Sequence, residues 1–65
     1  MEEPKTNSTA GARILVVDDD DDIREIVHVM LAREGFAVDE AANADEAVAQ
    51  MEHHPDLVIL DVMMP

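Results

Sequence analysis

Five consecutive aspartates, Asp18 to Asp22, follow the short apolar run Arg13–Val17, and a further aspartate, Asp61, follows a second apolar run, Asp56–Leu60. Carboxylates crowded at the ends of two neighbouring strands repel one another strongly where the dielectric is low. A hard divalent cation relieves that repulsion. Mg²⁺ takes oxygen ligands, uses few protein groups and keeps several waters. The acids therefore divide by position. Asp18, Asp19 and Asp61 are candidate metal ligands, whereas Asp20, Asp21 and Asp22 read as the N-cap and first-turn acids of a helix. A calcium loop starting at Asp18 would need a glycine at position 23 and a glutamate at position 29, which hold Ile23 and Val29. A dinucleotide site would need a glycine-rich turn where these acids stand.

The surrounding elements must bring the acids together. Arg13–Val17 is a continuous, β-branched run suited to a strand covered on both faces. Ile23, Ile26, Val27, Met30 and Leu31 recur at helical spacing, with Arg33 in the last turn and Gly35 just beyond it. Phe36–Ala41 reads as a second, partly exposed strand. Asn43 is placed to cap a second helix, with Glu46 three residues on in a capping-box arrangement. Ala44, Ala47, Val48 and Met51 form its expected inner face, and Pro55 stops it. Asp56–Leu60 is a third strand, apolar on both sides, whose Asp56 solvates the strand start. Alternating strands and helices imply a parallel α/β sheet with right-handed crossovers. In strand order 2-1-3, the winding switches between strands one and three, and ligands bind beyond the carboxyl ends of strands at that point.

The totals narrow the function. Sixteen acids against four bases leave a net charge of −12, which argues against phosphate-backbone binding through this segment, so no nucleic acid is expected as a partner. With 48% apolar residues falling in blocks, the chain is not disordered by composition. There is no cysteine, and no apolar run approaches a membrane span, so no membrane role is expected and the cytoplasm is the default location. Residues 1–12 read as a flexible leader and residues 13–65 as the N-terminal portion of a larger doubly wound domain. Three strands and two helices offer little apolar burial against chain entropy, so a partly ordered monomer or a self-associated species is expected.

The stretches ILVVDDDDDIRE, NADEAV and PDLVILDVMMP resemble the receiver domain of bacterial two-component response regulators, in order and with that family's spacing. The acid pair after the first strand and the D-x-x-M-P after the third are specific in combination. The resemblance implies a flavodoxin-like fold reduced to its first three strands and two helices. It implies that Asp61 is the phosphoacceptor, taking a phosphoryl group from a sensor histidine kinase or phosphotransfer protein. It implies that Asp19 holds Mg²⁺ directly, Asp18 mainly through water, and that Met63 contributes its backbone carbonyl. It further implies a Ser/Thr after a fourth strand and a Lys after a fifth; neither strand occurs in these residues, so this segment alone is expected not to complete phosphorylation. Such a domain is a signalling phosphoacceptor, not an enzyme in the usual sense. The competing reading is a non-catalytic acidic docking module, a truncated or degenerate receiver that binds a kinase or another receiver. A metal-dependent phosphohydrolase would want an acid two residues after Asp61, where Met63 stands. His28 is expected on the surface, and His53 and His54 at the end of the second helix, pointing apart.

Overall fold

A computed structural model of the chain describes residues 11–60. Strand β1 (Arg13–Val17), helix α1 (Asp21–Arg33), strand β2 (Ala37–Ala41), helix α2 (Ala44–Gln50), a single 3₁₀ turn at Met51–His53 and strand β3 (Leu57–Leu60) follow in that order. The sheet is parallel, as the alternation of elements predicts, and its order is β2-β1-β3, as the flavodoxin-like resemblance implies. The expected leader over 1–12 falls almost wholly outside the described residues. Gly11 donates its N–H to the Gly35 carbonyl at 3.0 Å, and the Ala12 carbonyl accepts from Ala37 at 2.9 Å.

Local chemistry sets the helix ends. Asp20 is the N-cap of α1, its Oδ1 accepting from the N–H groups of Asp22 (2.9 Å) and Ile23 (3.1 Å), and Asp21 and Asp22 lie in the first turn. This satisfies backbone donors that the helix itself cannot. At the other end Gly35 adopts a φ of 97°, Gly35 N–H reaches the Ala32 carbonyl (3.1 Å), and Phe36 N–H reaches that of Leu31 (3.3 Å). These two bonds make a Schellman motif, which needs a residue tolerant of positive φ at Gly35. Asn43 caps α2 by accepting from Glu46 N–H at 2.9 Å. The return bond from Glu46 goes to Ala42 N–H (2.7 Å), one residue before the cap. His54 ends the 3₁₀ turn in the left-handed region, just before Pro55.

Neighbouring strand residues point to opposite faces. On β2, Asp39 reaches His53 after α2, while Glu40 reaches Arg24 and His28 of α1. The two helices therefore cover opposite faces, as right-handed crossovers require. Between them lies β1, with Ile14, Leu15, Val16 and Val17 all buried and Leu15 fully so. Leu15, Val17 and Ala41 form the core cluster on the α2 side, with Ala47 packed on it.

Three expectations need correction. The apolar stripe of α1 is only partly inward: Val27 and Leu31 are half-buried, but Ile23, Ile26 and Met30 are exposed. On α2, Ala44, Val48 and Met51 are exposed, leaving Ala47 as the packed member of the expected face. Strand β3 is exposed along its whole length rather than covered on both faces. One cause accounts for all three. Both helices pack on β1 and β2, and neither packs on β3 among the described residues. Asp56 also does more than solvate a strand start. Its Oδ2 accepts from Arg13 N–H at 2.8 Å and its own N–H donates to the Arg13 carbonyl at 2.7 Å, fastening the entrance of β3 to β1.

Candidate functional site

The carboxyl end of β1 carries the acid pair. Asp18 is 6% exposed although it is charged, and its surroundings fix it at three points. Its N–H donates to the Ala41 carbonyl at 3.1 Å, carrying the β1–β2 ladder one residue past the strand. Its Oδ1 accepts from Asp20 N–H at 2.8 Å, an Asx turn that bends the chain towards α1. Its carbonyl oxygen accepts from Arg24 Nη1 at 2.7 Å. The Asp19 side chain, by contrast, is exposed and makes no hydrogen bond among the described residues. One acid is thus anchored and its neighbour is open to a ligand.

β3 pairs with β1 in parallel, and the register sets Val17 against Leu60. Val17 directly precedes Asp18 and Leu60 directly precedes Asp61 in the sequence. Asp61 and Met63 lie outside the described residues, and among those described no group of three or more acids and histidines is assembled to hold a metal. The donors that are described suit a hard cation. Asp18 keeps its Oδ2 without a hydrogen-bond donor among the described residues, Asp19 keeps its whole carboxylate, and both are oxygen ligands of the kind Mg²⁺ prefers.

Sequence reasoning overlooked an ionic network beside the site. The Arg24 side chain is 14% exposed and donates through Nε to Glu40 Oε1 at 3.0 Å, with Nη2 paired to Asp21. The hydrogen bonds to Asp21 and Glu40 hold its guanidinium pKa above the usual arginine value. Glu40 Oε2 also contacts His28 Nδ1, so His28 is half-exposed and paired rather than a lone surface side chain. The Asp21–Arg24 spacing of three was visible in the sequence; the bond across to Glu40, sixteen residues away, had no local signal. On the opposite face Asp39 Oδ2 accepts from Arg13 Nη1 at 2.9 Å and lies 3.4 Å from His53 Nδ1. Burial pushes the Asp39 pKa up, but Arg13 and then His53 outweigh it and hold the carboxyl below its usual range. His53 and His54 do not form a joint site: His53 turns to Asp39, while His54 occupies the left-handed turn.

No helix among the described residues is long and apolar enough to cross a membrane. Residues 14–65 match the family model for the response regulator receiver domain. The chain is 50% identical over 62 residues to the transcriptional regulatory protein ResD of Bacillus subtilis, an alignment covering 94% of this chain and 25% of that protein. It is 52% identical over 54 residues to the response regulator Rre1 of a Synechocystis strain, covering 80% of this chain and 23% of the relative. With the phosphate regulon transcriptional regulatory protein PhoB of Escherichia coli it shares 50% identity over 54 residues, covering 82% and 24%. It thus spans about a quarter of the length of these relatives. A parallel 2-1-3 sheet, an anchored acid at the end of its central strand and a family match from Ile14 onwards agree: the chain belongs to the response regulator receiver family of two-component systems.

Proposed function

We propose that Asp61 accepts a phosphoryl group from a sensor histidine kinase or phosphotransfer protein, with Asp18, Asp19, Asp61 and the Met63 backbone carbonyl holding Mg²⁺. The observation that supports this most is the parallel β1–β3 register, which ends both strands at the same edge of the sheet. A carboxylate oxygen of Asp61 attacks phosphorus in line. The P–N bond to the donor imidazole breaks, the imidazole keeps the electron pair and takes a proton, and an acyl phosphate forms. When bound, Mg²⁺ supplies positive charge that offsets the repulsion between the attacking carboxylate and the phosphoryl oxygens. The chain's own contribution is positioning. Asp18 is locked into the β1–α1 turn and keeps one oxygen available, while Asp19 presents its carboxylate to solvent. The relatives named as transcriptional regulators suggest that the whole protein controls transcription in response to phosphorylation.

The test is phosphoryl transfer from a phosphorylated kinase to the intact protein, read by intact mass with and without Mg²⁺. An 80 Da adduct that requires Mg²⁺ and vanishes in Asp61→Asn is expected, as a phosphoryl group replaces one proton. Docking to the kinase without any adduct would replace this reading with the non-catalytic binding module.

A further inference from the structure

We propose that Arg24 is a positioning residue for the acid pair, holding the β1–α1 turn in the shape that lets Asp18 and Asp19 serve a divalent cation. The inference rests on the metal reading above. Arg24 is the residue on which three separate segments converge. Its guanidinium takes the Asp18 carbonyl from the end of β1 (2.7 Å), the Asp21 carboxylate from the first turn of α1, and the Glu40 carboxylate from β2 (3.0 Å). A planar, rigid fork fixes the directions of its acceptors relative to one another, which a lysine ammonium does not do. Charge-assisted bonds of this kind are also about twice as strong as neutral ones.

The bond to the Asp18 carbonyl is the one that matters for a ligand. That oxygen belongs to the planar peptide joining Asp18 to Asp19. Fixing the oxygen fixes the plane, and the plane sets the direction in which Asp19 leaves the strand. The Asp19 side chain has no hydrogen bond of its own among the described residues, so its aim depends on its backbone. Glu40 completes the arrangement by bracing Arg24 from β2, where it also meets His28.

Charge alone predicts the opposite. A guanidinium beside carboxylates repels an incoming cation, so deleting it would tighten metal binding. Orientation predicts weaker binding, as is typical when partners behind a metal's ligands are removed, by about ten- to a hundredfold. The sign of the change therefore separates the two. The experiment is a Mg²⁺ titration of the intact protein followed by NMR of the Asp19 and Asp20 amides, for the parent, Arg24→Gln, Arg24→Lys and Asp19→Asn. Expected are Mg²⁺ binding weakened by about tenfold in Arg24→Gln, Asp19 and Asp20 amide resonances displaced before metal is added, and at most partial recovery in Arg24→Lys. Unchanged or tighter binding in Arg24→Gln, with binding lost in Asp19→Asn, overturns the role of Arg24 and leaves the metal reading standing. Parent-like binding in Asp19→Asn overturns both. Should Arg24→Gln fail to fold, Glu40→Gln removes the brace while keeping Arg24. Weaker Mg²⁺ binding with an unchanged melting temperature supports the proposal, and parent-like binding overturns it.

Discussion

The two outer strands of the sheet are finished differently. β2 carries two acids, and each is matched: Asp39 by Arg13 and His53, Glu40 by Arg24 and His28. Both helices pack on it. β3 carries Leu57, Val58, Ile59 and Leu60, all exposed, and no helix among the described residues packs on it. β2 shows how a sheet edge is closed by charge, since unpaired edges with acids and cations around them discourage pairing with other chains. β3 shows the reverse, an apolar strand with no charged side chain of its own and, among the described residues, no helix over it. Apolar surface of this kind is stabilised when something covers it.

The contrast is sharpest in packing. Leu15→Ala, in the fully buried centre, should destabilise the fold by about 2–5 kcal/mol, whereas Leu57→Ala on β3, 54% exposed, should cost no more than about 0.5 kcal/mol. Urea denaturation of both variants checks this, and equal losses would mean that β3 is covered in solution. Association comes next. Sedimentation of the chain alone should show self-association that grows with concentration, and Ile59→Lys should abolish it while a charge-preserving change on β2, Asp39→Glu, should not. A concentration-independent monomer would remove the asymmetry between the two edges. Capping is a smaller effect: Asp20→Ala should lower stability by about 1 kcal/mol, visible as a shift in the urea midpoint without a change in slope.

The smallest effect expected is in acid. The Asp39 carboxyl is held below its usual range in the fold, so the folded state binds its proton less readily than the unfolded chain does. Its contribution to stability is therefore complete above the unfolded value of about 3.9 and is lost as pH falls through the lower folded value. Asp39→Asn should lower stability slightly at neutral pH and leave it nearly unchanged below the folded value, flattening that part of the acid-unfolding curve; the loss is small, as befits a pair partly open to solvent.

What was legible in the sequence was local. The run of Ile14 to Val17 fixed a buried strand, Asp20 and Asn43 announced their helices, and Gly35 marked a stop, because each effect acts within a few residues. The position of the acid pair was legible for the same reason: the buried run ends at Val17, which sets Asp18 and Asp19 at the carboxyl end of the central strand. Partner choice was not. Glu40 could have pointed to solvent; that it meets Arg24 and His28 depends on how α1 lies on the sheet. The α1 stripe misled in the same way, since Ile23, Ile26 and Met30 have the spacing of a buried face but overhang the two strands that α1 covers.

Asp39 and Glu40 are adjacent, yet they tie down opposite sides of the molecule. Sliding β2 by a single position along its neighbour would hand each acid to the wrong layer and leave Arg13 and Arg24 without their β2 carboxylates at once. The dipeptide thus works as a key cut on two edges, which fits only when the second strand is seated in one register.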